Sequence, residues 1–211
     1  NEDNGFNRLI LLLDAKVTFI DEITYVYQDE MKGLGHAILC TKEAVGDEPF
    51  LVILGDDLVI NKNGPSASLQ LIEAYNKTNT SILGVQKVSL EDTKKYGIVD
   101  PISEEGRLIL MKGMVEKPSS NPPSLYAALG RYVITSDIFS LLENTKPGKG
   151  GEIQLTDALK RLDKIYAYDF EGIRYDIGDK FGYVKAIIDL ALDREDLKEK
   201  TIEFIKEKLN W

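Results

Sequence analysis

One cysteine, one histidine and one tryptophan are all that this chain of 211 residues holds of those three types. A lone Cys40 excludes an intrachain disulfide and any cysteine-cluster metal site, and it fits a reducing compartment. A lone His36 excludes a histidine-rich metal site and a two-histidine mechanism. Basic excess is also lacking. Lys and Arg number 26 against 35 Asp and Glu, a formal net charge of −9, so binding of nucleic acid through phosphate contacts is not expected. An acidic chain can still take a nucleotide at a site that is locally basic or bridged by a metal. No apolar run reaches transmembrane length. The first residues, NEDNGFNRL, are acidic and polar rather than a secretory leader, and the chain does not begin with Met. These limits describe a cytoplasmic protein with neither a membrane nor a nucleic-acid partner.

What is present is ordinary globular composition, 43% hydrophobic and 29% charged. The length suits one domain over residues 1–211 with a sizeable core. Strand-like runs alternate with amphipathic helical ones. ITYVYQ (23–28) is β-branched and aromatic and reads as a strand. FLVILG (50–55) is apolar throughout, the mark of a buried central strand. SILGVQKV (81–88), GIVD (97–100), RLILMKGMVEKP (107–118), YAALGRYVIT (126–135) and IYAYDF (165–170) are further strands. Helical spacing runs over 35–45, over 66–78 with Ser66 or Ser68 as cap, over 136–145 with Ser136 or Asp137 as cap, over 152–162 and over 180–193. A charged amphipathic helix over 195–210 closes the chain and is expected to pack on its own domain. The alternation predicts an α/β layered domain with a mixed, mostly parallel sheet, and the closely spaced strands between 97 and 135 add an antiparallel part.

In open α/β sheets ligands sit beyond the carboxyl ends of strands. FLVIL ends in Gly55-Asp56-Asp57. Oxygen ligands there suit Mg²⁺, which keeps waters and shares substrate phosphates; a turn or cap aspartate fits the spacing equally well. Gln28 ends a strand ahead of Gly33-Leu34-Gly35, and its amide offers a donor and an acceptor that complement the imide edge of uracil. Tyr96-Gly97 opens a strand, where glycine permits close approach. Asp176 ends a short strand before a helix, as a ligand or as a helix cap. His36 reads as structural. Glu116 and Lys117 end a strand side by side, followed by Pro118. Strand neighbours point to opposite faces, so the spacing alone describes a solvated strand end rather than a salt bridge.

Taken in order, Q-x4-GLGHA, GDEPFLVILGDD, YGIVD, MVEKP, ALGRYVI, GGEIQLTDAL and YDIGDKFGYVKA closely resemble the bacterial UTP–glucose-1-phosphate uridylyltransferase (UDP-glucose pyrophosphorylase) family, from about Ile23 to about Leu192. The resemblance implies a Rossmann-like nucleotide-diphospho-sugar transferase fold. It implies synthesis of UDP-glucose and pyrophosphate from UTP and glucose 1-phosphate with Mg²⁺, and it admits a homo-oligomer. Carried over by motif, Gln28 and Gly33 would hold uracil, and Gly97 and Glu116 the glucose hydroxyls. Lys117 would meet the phosphates, Asp56 would bind the metal, and Asp176 would match the second metal-ligand aspartate of the wider superfamily. The departure lies at the start. The family's first strand and its loop of the type G-x-G-T-R, which wraps the triphosphate, have no counterpart in the 211 residues. Two expectations follow: an N-terminally incomplete uridylyltransferase with impaired catalysis, or a non-catalytic sugar-nucleotide-binding or regulatory homologue. The sequence encoded just upstream of Asn1 separates them.

Overall fold

The computed structural model describes residues 24–209. The first glycine-rich segment forms α1 (Gly33–Leu39), followed by α2 (Lys42–Val45). Then come β1 (Phe50–Ile53), β2 (Asp57–Ile60) and α3 (Ala67–Thr78). Ser66 caps α3, its Oγ accepting a hydrogen bond from the Leu69 amide at 3.2 Å. β3 (Ile82–Lys87) leads through a short 3₁₀ turn to β4 (Gly97–Glu105), β5 (Leu108–Glu116) and β6 (Tyr126–Ile134). The chain finishes with α4 (Ile138–Glu143), α5 (Leu155–Leu159), β7 (Tyr166–Asp169), β8 (Ile173–Asp176), α6 (Lys180–Asp193) and α7 (Glu195–Leu209).

Six strands form one sheet in the order β1-β6-β3-β7-β5-β4, and β2 pairs with β8 beside it. The sheet is mixed, as expected, but the expectation of mostly parallel ladders is corrected. Among the described residues only β3 and β7 pair in parallel. β6 runs antiparallel between β1 and β3, and the β4–β5 hairpin adds further antiparallel ladders. β1, β3, β7 and β4 still point one way. The apolar alternation marks strands but carries no information on direction.

FLVI is apolar at every position because both faces of β1 are covered. Phe50 and Val52 join a cluster with Ile38, Leu83, Ile134, Leu142 and Leu159 under α1, α4 and α5. Leu51 joins the opposite cluster with Leu71, Ala74, Val133 and Phe170 under α3. Phe50 stacks on Phe139 with centroids 5.3 Å apart. Among the described residues, however, β1 has a ladder on one side only, so its place as a central strand is not seen there. Residues 24–28 belong to no ladder among the described residues. Aromatic and β-branched composition makes a strand only where a partner edge satisfies the backbone. Ile23 lies outside the described residues. α7 packs against α6, as expected for the last helix, yet none of its residues is fully buried.

Candidate functional site

The β2–β8 ladder sets out one half of the site. Its register places Asp57 opposite Asp176 and Val59 opposite Arg174. Beyond the ladder the Ile177 amide donates to the Asp56 carbonyl at 2.9 Å. That bond holds Asp56 beside the turn after β8. A methyl group placed on Gly178 would lie 3.4 Å from both Asp56 Oδ2 and Asp176 Oδ1, so the two carboxylates flank the same glycine. Asp176 Oδ1 accepts from the Asp179 amide at 3.3 Å. The cap of α6 is Asp179, whose Oδ2 accepts from the Gly182 amide at 2.8 Å. Asp176 is therefore a turn carboxylate and not the helix cap. Two carboxylates with open coordination suit Mg²⁺ shared with phosphates. Among the described residues no group of three acidic, His or Cys side chains could hold a metal unaided.

Asp57 has a different environment from Asp56. It is buried. Its Oδ2 accepts from the Gly130 amide at 2.6 Å, and its Oδ1 accepts from Arg174 Nε at 2.9 Å. Its carbonyl accepts from Arg131 Nη2 at 3.1 Å. Burial lowers the pKa of Arg131, with Asp57 opposing the shift. Burial also disfavours the Arg174 cation, but Asp57 and Tyr96 outweigh it and the pKa of Arg174 rises. Arg174 reaches further, donating from Nη1 to Tyr96 Oη at 3.0 Å and lying 3.5 Å from Asp176 Oδ2 through Nη2.

The second half of the site is the mouth of the β4–β5 hairpin. Gly97 pairs with Glu116. A Cβ at Gly97 would come within 2.8 Å of Met114 Sδ and 3.1 Å of Glu116 Oε2, so a larger residue there would press on both side chains. Lys117 donates its amide to the Tyr96 carbonyl at 3.0 Å and takes φ +44°. That left-handed residue breaks the strand alternation. Lys117 Nζ lies 3.9 Å from Glu116 Oε1, with both side chains more than half exposed. The expectation that strand neighbours point apart is corrected here, because the pleat ends at Glu116.

Tyr132 of β6 is buried in the core beneath the site. Burial raises its pKa well above the ordinary tyrosine value, and the charges of Asp57, Glu116 and Asp56 add to the rise. Tyr132 stands inside ALGRYVI and Arg174 immediately precedes YDIGD, and the sequence assigned neither a role.

Gln28 and Gly33 form a separate cradle. Gln28 Nε2 donates to the Gly33 carbonyl at 3.1 Å and lies 3.0 Å from His36 Nδ1. With His36 Nδ1 unprotonated both amide hydrogens are engaged, and among the described residues Oε1 has no hydrogen-bond partner. Gly33 has φ +85°, and a Cβ there would sit 2.8 Å from Glu152 Cβ. The GGEIQL segment is tied to this loop through Gly35 N–H to the Ile153 carbonyl at 3.0 Å and Ile153 N–H to the Lys32 carbonyl at 2.7 Å. No hydrogen bond or ion pair among the described residues links this cradle to the aspartates or to Glu116.

A family model described as nucleotidyl transferase matches residues 10–192. The chain is 51% identical over 198 residues to a Staphylococcus saprophyticus protein named UTP–glucose-1-phosphate uridylyltransferase 2, covering 92% of this chain and 68% of that protein. It is 46% identical over 213 residues to the Bacillus subtilis UTP–glucose-1-phosphate uridylyltransferase, covering 99% of this chain and 72% of that protein. A UDP-glucose pyrophosphorylase complexed with UDP-glucose superposes with a TM-score of 0.78 at 45% identity, over 81% of this chain and 66% of that one. A UTP-bound enzyme of the same kind from Acinetobacter baumannii gives 0.77 at 38% identity, over 84% of this chain and 63% of that one. The chain thus spans about two thirds of the length of these relatives.

Proposed function

Because the chain belongs to the nucleotidyl transferase family, with uridylyltransferases among its relatives, we propose that it carries the sugar-nucleotide site of a UTP–glucose-1-phosphate uridylyltransferase. The reaction is attack by a phosphate oxygen of glucose 1-phosphate on the α-phosphorus of UTP. A P–O bond forms there, the bond to the β-phosphate breaks, and pyrophosphate leaves. No protein nucleophile takes part, so the residues position substrates and offset charge.

The observation that carries the reading is the β5 end. A carboxylate and an ammonium stand together there, both more than half exposed and so open to a ligand, beside Gly97. Glu116 accepts glucose hydroxyls, and Lys117 stands at the phosphate beside them. Gln28 Oε1 accepts the uracil N3–H, while Gly33 lets the base lie against the backbone. Cytosine presents a lone pair at N3, which that oxygen repels. Asp56 and Asp176 would hold Mg²⁺, whose charge would offset that of the phosphates. The structural relatives are a UDP-glucose complex and a UTP complex, the ligands this arrangement suits.

Calorimetric titration of the chain tests the reading. UDP-glucose should bind in preference to CDP-glucose, and Mg²⁺ should strengthen binding in the parent but not in Asp56→Asn. No detectable binding of UDP-glucose would overturn the function. An equal Mg²⁺ effect in both proteins would remove Asp56 from the metal site.

A further inference from the structure

Asp57 and Asp176 face each other across the β2–β8 ladder, and like charges directly opposite destabilise such a pair. Arg174 sits on the same face, two residues before Asp176. Its side chain is 18% exposed and lies between them, 2.9 Å from Asp57 Oδ1 and 3.5 Å from Asp176 Oδ2. Neutralising the pair needs only these two contacts. The guanidinium makes a third, from Nη1 to Tyr96 Oη at 3.0 Å. Tyr96 belongs to neither β2 nor β8. It immediately precedes Gly97, its carbonyl accepts the Lys117 amide, and the next residue pairs with Glu116. Arg174 is thus the direct side-chain link between the aspartate edge and the start of β4.

We propose that Arg174 is a positioning residue. Its rigid fork holds Tyr96, and with it Gly97, Glu116 and Lys117, at a fixed reach from the aspartate edge, which sets where the glucose of a sugar nucleotide lies. This rests on the function proposed above. A planar guanidinium spreads its donors over a rigid fork that reaches three separate partners, whereas an ammonium carries its three donors at a single point on a flexible stem. Asp57 is the most buried partner and of opposite charge, so a lysine at 174 keeps Asp57 and releases Tyr96. The glucose pocket then loses its register while the uracil cradle, built from Gln28, Gly33 and the 152–154 segment, is untouched.

The test measures UDP and UDP-glucose affinity side by side in the parent, Tyr96→Phe and Arg174→Lys, together with thermal stability. Tyr96→Phe removes only the hydroxyl that Arg174 holds and leaves the Arg174–Asp57 pair intact, so the fold survives. Loss of a hydrogen bond to a charged group corresponds to about tenfold in affinity. UDP-glucose should therefore weaken about tenfold in both variants, and UDP, which shares Lys117 but not the glucose contacts, should weaken less. An unchanged ratio of the two affinities, or an equal loss of both ligands, would overturn the inference and leave Arg174 a purely structural cation. Failure of the parent itself to bind either ligand would instead overturn the proposed function, and this inference with it.

Discussion

Lys117 Nζ lies 3.9 Å from Glu116 Oε1 although the two residues are adjacent in sequence. The cause is local. Glu116 is the last residue of β5, and Lys117 takes φ +44° with its amide held by the Tyr96 carbonyl. A left-handed conformation costs an L-residue about 1–2 kcal/mol, and it occurs here at a strand end that faces the proposed ligand. Strain of that kind persists where surrounding structure holds it and gathers at ligand clamps.

Lys117→Gly should separate the backbone from the charge. Glycine adopts this φ without penalty, so chemical denaturation should show stability unchanged or raised by about 1 kcal/mol. UDP-glucose should bind more weakly all the same, because the ammonium is gone. Lys117→Ala should lose the same affinity with no gain in stability. Equal stability changes in the two variants would mean that φ +44° carries no strain.

Asp57 does not share the exposure of its neighbour Asp56: it is buried and accepts from both Gly130 and Arg174. Removing one partner of a buried ion pair leaves the other uncompensated and costs about 3–5 kcal/mol. Asp57→Ala should lose about that much stability in urea unfolding, whereas Asp56→Ala, at an exposed position, should lose little. Comparable losses would place the two aspartates in the same environment.

The neighbouring aspartates mark the boundary of what sequence could tell. Apolar periodicity located β1, β3, β5, β6, β7, α3 and α6, because burial on one or both faces writes itself into residue order. The Ser66 cap was legible for the same local reason. β2 was not, since four residues after Asp56 gain their partner only from β8, and the Asp57–Arg174 contact spans 117 positions. Strand direction was equally hidden. The candidate residues of the site were found through motif order, and their grouping came from the structure. Asp56 and Asp176 flank one glycine, Gly97, Glu116 and Lys117 share the hairpin mouth, and Gln28 with Gly33 stands apart.

Gln28 offers a sharper prediction than its residue type alone allows. With His36 Nδ1 unprotonated its two amide hydrogens are engaged by the Gly33 carbonyl and that nitrogen, and among the described residues Oε1 is left to read a base. Gln28→Glu keeps an acceptor at that place but loses the donors that orient it. Gln28→Ala removes the acceptor. The alanine variant should lose the preference for UDP over CDP, and the glutamate variant should keep part of it with weaker binding overall. A preference that survives in Gln28→Ala would put the base contact elsewhere.

The final prediction concerns turnover by the 211 residues themselves. The reacting triphosphate carries several negative charges, and a second phosphate must approach it. Along the sequence there is no G-x-G-T-R segment to supply backbone amides to the triphosphate, and among the described residues Lys117 is the cation that pairs with Glu116. Loss of one preorganised donor at a reacting oxyanion costs ~10²–10³ in rate, and a whole loop of them is at issue. On the proposed reading, product binding depends instead on Gln28, Gly33, Gly97, Glu116 and Lys117, which the chain contains. Purified 1–211 should therefore bind UDP-glucose yet release pyrophosphate from UTP and glucose 1-phosphate at a negligible rate. A version with a family-type first strand and G-x-G-T-R loop fused ahead of Asn1 should turn over faster by at least that ~10²–10³. Robust turnover by the unfused chain would mean that another segment stabilises the triphosphate, and a search for its cations would begin among the lysines and arginines nearest Asp56.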